Sequence, residues 1–340
     1  MGTAIDSRDH LILATVSEDY AAGSLAVYDP TTGALVEQIL TTSGDPRVRR
    51  TATDLIQTNA LGTDTVRLYP LDNLATAPRE FGLTTPGGPV ANAVDAYTCG
   101  DTLWVATYAR STVSRIDLTT GDLREPLSLD AYADGDDVGP EPVQLLPYGD
   151  DLLLVLQRLD RNNQWSASGS QLLQIDCATA QIVETWPLGA NSVVALDSEA
   201  RILFTDDGSR SEAPGVFRLD LGTGFSERLI STGGPDGLVP RHLSGPLPGL
   251  LMGSAPDGTA DRLWCIDADG AVIGQHSFDG FVTSVSHAPA MQRGWAGLHW
   301  GWRDPKTSLQ GLFELDLLTC EPTADSPRPM VQSPYHMAAP

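Results

Sequence analysis

Ser111-Thr-Val-Ser-Arg-Ile-Asp-Leu-Thr-Thr-Gly121 is the stretch on which the fold turns. A short β-type run ends in Asp117, and a Thr-Thr-Gly turn follows whose glycine can take the positive φ of a hairpin corner. Six relatives of this run lie along the chain: Ser24-Leu-Ala-Val-Tyr-Asp29, Thr65-Val-Arg-Leu-Tyr-Pro70, Gln171-Leu-Leu-Gln-Ile-Asp176, Gly215-Val-Phe-Arg-Leu-Asp220, Asp261-Arg-Leu-Trp-Cys-Ile-Asp267 and Gly311-Leu-Phe-Glu-Leu-Asp316. Measured at the aspartate, with Pro70 standing in once, they are spaced by 41, 47, 59, 44, 47 and 49 residues. That period is the length of a four-stranded propeller blade.

Working outward from Asp117, one unit reads as four strands: Val90 to Tyr97, Thr102 to Tyr108, Thr112 to Asp117 and Arg124 to Leu127. Named a to d from hub to rim, they place the a–b and c–d turns on one face of the disk. The b–c loops and d–a connections share the other face, where function on a rigid scaffold is expected. The first unit starts at a b-like strand, Leu11 to Ser17, and the chain ends on Val331-Gln-Ser-Pro-Tyr-His336-Met-Ala-Ala, an a-like strand without successors. The economical reading is an all-β, seven-bladed β-propeller spanning residues 1–340 as one domain. Its ring is closed by residues 329–340 in the first blade, with residues 1–9 as a disordered leader or linker.

The 44 acidic and 21 basic residues give a net charge of −23, which disfavours nucleic acid and anionic membrane surfaces as partners. Lys306 is the only lysine and follows Pro305, which excludes a Walker A loop. Gly-x-Ser-x-Gly and His-Glu-x-x-His are absent, and Gly222-Thr-Gly224 lacks the third glycine of a dinucleotide fingerprint. The longest aliphatic run, Leu152 to Leu156, is far too short for a transmembrane helix, and the first residues lack the pattern of a signal peptide.

The run from Asp101 to Leu188 resembles the YVTN/YncE-like bacterial β-propellers, most of all exported, often lipid-anchored proteins of delta-proteobacterial or myxobacterial type. The resemblance is carried by the repeat around Asp117, by Ala133-Asp-Gly-Asp-Asp-Val-Gly-Pro-Glu141 and by Gln157-Arg-Leu-Asp-Arg-Asn-Asn-Gln-Trp165. It implies a propeller outside the cytoplasm, with a lipid anchor on the native precursor. Fold-level likeness leaves function open, since the architecture hosts binding, scaffolding and catalysis alike.

The longest spacing, 59 residues, comes from two expansions that the topology makes neighbours: the connection Asp130 to Glu141 and the loop Leu159 to Ser170. Asp130, Asp134, Asp136, Asp137 and Glu141 around Gly135 suit a calcium ion, against the alternative of a solvated acidic loop. Tyr132, Arg158, Asp160 and Trp165, with His299, Trp300 and Trp302 of the last blade, present stacking and polar surfaces for a peptide, protein or glycan ligand. For the two neighbouring tryptophans the competing use is inter-blade packing. His242, His287 and His336 fall in the innermost strands of successive blades, where converging imidazoles would bind zinc or copper; the alternative is strand-end hydrogen bonding. Cys99, Cys177, Cys265 and Cys320 have no metal or redox spacing and read as free thiols, with Cys99 to Cys177 the most plausible bridge because both turns share a face. The expected role is an extracytoplasmic, non-catalytic binding or interaction module; the alternative is a lactonase or lyase built on the hub histidines.

Overall fold

A computed structural model describes residues 6–60, 63–84, 90–133, 140–160, 162, 166–198, 200–209, 214–232, 238–254, 260–278, 281–299 and 310–340. Seven antiparallel four-stranded sheets form the blades of a propeller. From hub to rim, the blade carrying the sequence signature is Ala93–Cys99, Thr102–Thr107, Thr112–Asp117 and Leu123–Ser128. The ring closes as the repeat predicts, with Ser333–Ala338 pairing Leu11–Val16 so that His336 lies opposite Ala14. Among the described residues no helix is long and apolar enough to cross a membrane.

The recurring aspartate has a structural job. At the end of strand c its carboxylate accepts backbone N–H groups from the turn that follows: Asp117 Oδ1 holds Thr119 N at 2.7 Å, Asp220 Oδ1 holds Thr223 N at 2.8 Å and Asp316 Oδ1 holds Leu318 N at 2.9 Å. This Asx-type bond replaces the ladder partners that the chain loses on leaving the strand. The chain then turns through Gly121 at φ 81° and Gly224 at φ 69°.

The core lies between blades rather than at one centre. Val94, Trp104, Leu145, Leu154 and Leu173 of the third and fourth blades are fully or almost fully buried in one such layer. Leu250, Leu263, Ala296 and Leu315 form the equivalent layer between the sixth and seventh. Each layer removes apolar area from water, so truncating Leu154 to alanine is expected to cost about 2–5 kcal/mol.

Two sequence expectations are corrected. The cysteines are not free thiols: Cys99 bonds Cys177, and Cys265 bonds Cys320. Each bridge ties one blade to the next. The second escaped the spacing argument because Cys265 sits within strand c while Cys320 occupies a left-handed turn position, φ 59°, leaning over the neighbouring blade. Gly274 makes room there, since a Cβ at that glycine would lie 2.6 Å from the Cys320 Cβ. Ser7, expected within a disordered leader, is instead fully buried, and its amide and hydroxyl both bond the Leu71 carbonyl at 2.9 Å.

Candidate functional site

The innermost strand of a blade is a sheet edge, with backbone groups that find no ladder partner on the hub side. Side chains from the neighbouring blade supply many of the missing bonds. The Thr283 hydroxyl bonds the Pro334 carbonyl, His336 Nδ1 accepts from Val48 N at 3.5 Å, and Asp95 Oδ2 accepts from Leu145 N at 2.8 Å. Gln144 both donates to Val194 O, at 2.9 Å, and accepts from Val194 N, at 3.4 Å. Arg49 forks onto Asp95 at 2.8 and 2.5 Å, which joins the second blade to the third.

The same edges explain the prolines. Pro46, Pro142, Pro240 and Pro334 stand at the start of four innermost strands, where a missing N–H costs no ladder bond. Soon after the start, several of these strands carry a β-bulge. Arg241 is the extra residue between Pro240 and His242, and Tyr335 is the extra residue between Pro334 and His336. A bulge re-aims the side chain it inserts. Both residues lie toward the face of b–c loops and d–a connections.

The mouth of the hub on this face combines cations with rings. Arg47 is the second residue of its strand, Pro46–Arg50, and has no hydrogen bond or ion pair to a described residue. Arg241 is exposed, without a carboxylate partner among the described residues, and lies over the Phe281 ring at 5.5 Å. Tyr20, at the tip of the first blade's b–c loop with φ 55°, stacks on His299 at 5.1 Å and meets Tyr335 edge-on at 5.9 Å. Burial first, and then the nearby Asp45 carboxylate, push the Tyr335 hydroxyl above its ordinary pKa.

Of the three hub histidines, two share this mouth. Burial, then the Arg241 and Arg47 guanidiniums, lower the His242 pKa to about 4. Burial, then Arg47, Arg49 and His242, lower that of His336 to about 3. Both imidazoles are therefore neutral at physiological pH. His287 is placed at the opposite end of the hub, its Nδ1 bonded to the Ser244 hydroxyl and its Nε2 2.8 Å from the Pro246 carbonyl. The expected triad is not brought together, and among the described residues no three His, Cys, Asp or Glu side chains converge as a metal set.

The two expansions of the third and fourth blades are neighbours, as the topology requires. Glu141 is fully buried, and its carboxylate accepts the Leu159 amide while its carbonyl accepts Gln157 N at 3.0 Å. Asp130 accepts from the Ser128 hydroxyl at 2.9 Å, Tyr132 OH lies 3.3 Å from Thr185 Oγ1, Arg158 donates to Gly169 O at 3.4 Å, and Asp160 accepts from Asn162 N at 3.0 Å. These bonds are internal to the loops and to the rim. Asp134, Asp136, Asp137, Trp165, Trp300 and Trp302 lie outside the described residues. His299 is 4% exposed beneath Tyr20 and packs the loop rather than facing solvent.

Sequence reasoning missed Arg47, Arg241, Tyr20 and Tyr335. A signal for three of them was present: Pro46-Arg47, Pro240-Arg241 and Pro334-Tyr335 recur at the same point of the blade.

No protein-family model and no curated protein sequence matches the chain. Solved structures do. A putative 6-phosphogluconolactonase from Bacteroides fragilis is 12% identical with a TM-score of 0.62, covering 99% of this chain and 99% of its own. The periplasmic gluconolactonase PpgL of Pseudomonas aeruginosa is 13% identical with a TM-score of 0.60, covering 92% and 93%. A streptogramin B lyase is 12% identical with a TM-score of 0.57, covering 87% and 92%. At such identities the likeness carries the propeller fold and no activity. The narrower YVTN/YncE-like kinship has no sequence match behind it.

Proposed function

We propose that this chain is an extracytoplasmic ligand-binding propeller whose ligand docks at the hub mouth, on the face of the b–c loops and d–a connections. The observation that carries the reading is that two arginines of innermost strands, Arg47 and Arg241, have no acidic partner among the described residues, in a chain of net charge −23. A guanidinium that the fold does not use is available to a ligand, and loops around a rigid hub are where a propeller can bind one. Thermal-shift screening of a metabolite library tests this. Compounds that raise the melting temperature of the parent are expected to lose the effect when Arg47 and Arg241 are both replaced by glutamine. Hits that are indifferent to the double substitution place the site elsewhere.

The compartment rests on the two disulfides, which form and persist in oxidising surroundings. Their fold neighbour PpgL is periplasmic by name. Alkylation and mass spectrometry of protein taken from its native cells should find no reactive thiol. Four alkylated cysteines would place the protein in the cytoplasm.

A lactonase or lyase at the hub is the second reading. It is favoured by the neutral His242 imidazole, which can accept a proton, and by the names of the neighbouring structures. Turnover of a lactone panel that disappears in His242→Asn, with the fold intact, would move the assignment from binding to catalysis.

A further inference from the structure

We propose that a second ligand site lies in the seam between the seventh and first blades, on the face opposite the hub mouth, and that it takes a neutral polyhydroxy compound, a sugar or polyol, whose hydroxyls complete Glu314 and Arg328. The site shares no residue with the hub mouth and does not rest on the reading given above.

One irregular blade shapes the seam. The c–d turns of the third and fifth blades are five residues each, 118–122 and 221–225, whereas that of the seventh is eleven, 317–327, and its strand d shrinks to Arg328–Pro329. The long connection runs back along strand c. Thr323 N donates to Glu314 O at 3.0 Å, Glu314 N donates to Ser326 Oγ at 2.8 Å, and the Cys265–Cys320 bridge pins the connection to the sixth blade. Together with the first blade's turn from Pro30 to Gly33 it borders a polar pocket of about 190 Å³.

Two charged groups in the wall of this pocket are fixed but incomplete. Glu314 is 3% exposed; its Oε2 accepts the Tyr28 hydroxyl at 2.7 Å and the Thr323 hydroxyl at 3.2 Å, while Oε1 takes no hydrogen bond from a described residue. Arg328 lies over the Tyr28 ring at 5.2 Å, spends Nη1 on Gly33 O at 3.1 Å and Nη2 on Asp325 at 2.9 Å, and leaves Nε without an acceptor among the described residues. Tyr28 thus holds both, one at its hydroxyl and one over its ring. Both unmatched atoms are shielded from bulk water, where an unmade hydrogen bond is costly. Arg293 is the side chain that can swing aside to admit a ligand: it is 34% exposed, and its Nε stands 3.6 Å from Glu314 Oε1, beyond a hydrogen bond, while Nη1 keeps Asp316 at 3.3 Å.

The pocket therefore offers one acceptor and one donor. A hydroxyl both donates and accepts, so a compound with several hydroxyls can serve the two atoms together; an ammonium can only donate and a carboxylate can only accept. Charge selects the same class. Arg293 and Arg328 face Glu314, Asp316 and Asp325, and Asp29 stands at the start of the first blade's turn, so an anion meets an excess of carboxylates. The two guanidiniums in the lining in turn oppose a metal ion. At about 190 Å³, against about 30 Å³ for each molecule of liquid water, there is room for one sugar ring or an open-chain polyol.

Isothermal titration of the whole protein with D-sorbitol, D-glucose, D-glucuronate and ammonium chloride tests the site. At least one of the two neutral compounds is expected to bind with a Kd of about 1–10 mM, and neither glucuronate nor ammonium at about 50 mM. Glu314→Gln should weaken the neutral compound about tenfold or more by removing the charged acceptor. Thr31→Tyr, at an exposed turn position that lines the pocket, should do the same by filling its mouth while leaving the buried groups in place, and it decides the matter should Glu314→Gln fail to fold. No binding of sorbitol or glucose at about 100 mM would overturn the proposal, and so would glucuronate or ammonium binding as tightly as they do. Affinity kept in Thr31→Tyr but lost in the double substitution of Arg47 and Arg241 would move the compound to the hub and overturn this site.

Discussion

Three arginines outside the hub and two at its mouth are held in different ways. Arg124 reaches Asp101 at 2.9 Å and Asp117 at 2.6 Å, Arg218 reaches Asp197 at 2.9 Å, and Arg293 reaches Asp316 at 3.3 Å. With acidic residues outnumbering basic ones 44 to 21, a carboxylate is easy to find. Arg47 and Arg241 have none among the described residues, although Arg49, two residues from Arg47, is forked onto Asp95. Arg50, Arg79 and Arg115 also lack a carboxylate among the described residues but spend their guanidiniums on the carbonyls of His10, Leu118 and Glu125. Among the same residues Arg47 has no such bond, and Arg241 meets only the Phe281 ring.

The comparison breaks first at Asp95, where the largest loss is expected. Its carboxylate holds Arg49 and the Leu145 amide, so Asp95→Ala leaves a half-buried guanidinium and an amide without acceptors. Urea unfolding should show a loss of about 3 kcal/mol. A loss under about 1 kcal/mol would mean that Arg49 is no more dependent on its partner than Arg47 is. Arg218→Gln comes next, because it leaves Asp197, whose side chain is 7% exposed, with only the more distant Arg201 at 3.8 Å, and about 2 kcal/mol is expected by the same measurement.

Acid sharpens the contrast by removing partners rather than arginines. Hydrogen bonds from Arg124, then the amides of Thr120 and Thr119, hold the Asp117 pKa down to about 2. The turn aspartates Asp29, Asp176 and Asp220 are lowered too, by the Thr32 hydroxyl, the Thr179 amide and the Thr223 hydroxyl respectively. A carboxyl group depressed in the folded state stabilises it above the unfolded pKa, near 4, and loses that contribution as pH falls through the folded value. The histidines add an earlier step, because His242 and His336 are neutral in the fold at about pH 4 and above and take up protons on unfolding once the pH is below their ordinary value. The melting temperature should therefore be flat above about pH 7, start to fall below about pH 6.5 and fall further between about pH 4 and 2. A curve flat down to about pH 5 would mean that the two imidazoles are not held neutral in the fold.

The fold was legible because its most repeated residue does one local job. An aspartate that caps the c–d turn must recur once per blade, so its spacing counts the blades, and the missing innermost strand of the first blade predicts the closure. The hub was less legible, for two physical reasons. A β-bulge at Arg241 or Tyr335 shifts the strand register by one residue without changing the hydrophobic pattern enough to be read. The acidic connection from Asp130 to Glu141 also drew attention by composition, whereas Glu141 is spent on the Leu159 amide. The Cys265–Cys320 bridge depends on how one blade leans over the next, which linear spacing does not encode.

The smallest expected stability change decides the most. Arg47→Gln and Arg241→Gln remove charges that no described carboxylate compensates, so the folded state loses no ion pair and sheds some mutual repulsion. Each variant should unfold within about 0.5 kcal/mol of the parent. Arg241→Gln also gives up its contact with the Phe281 ring, which at an exposed site offsets part of that gain. A loss as large as that expected for Asp95→Ala would show that the hub arginines brace the innermost strands, and their lack of acidic partners would then say nothing about a ligand. Unchanged stability joined to lost binding would separate Arg47 and Arg241 by function from Arg49, whose guanidinium holds the second blade to the third.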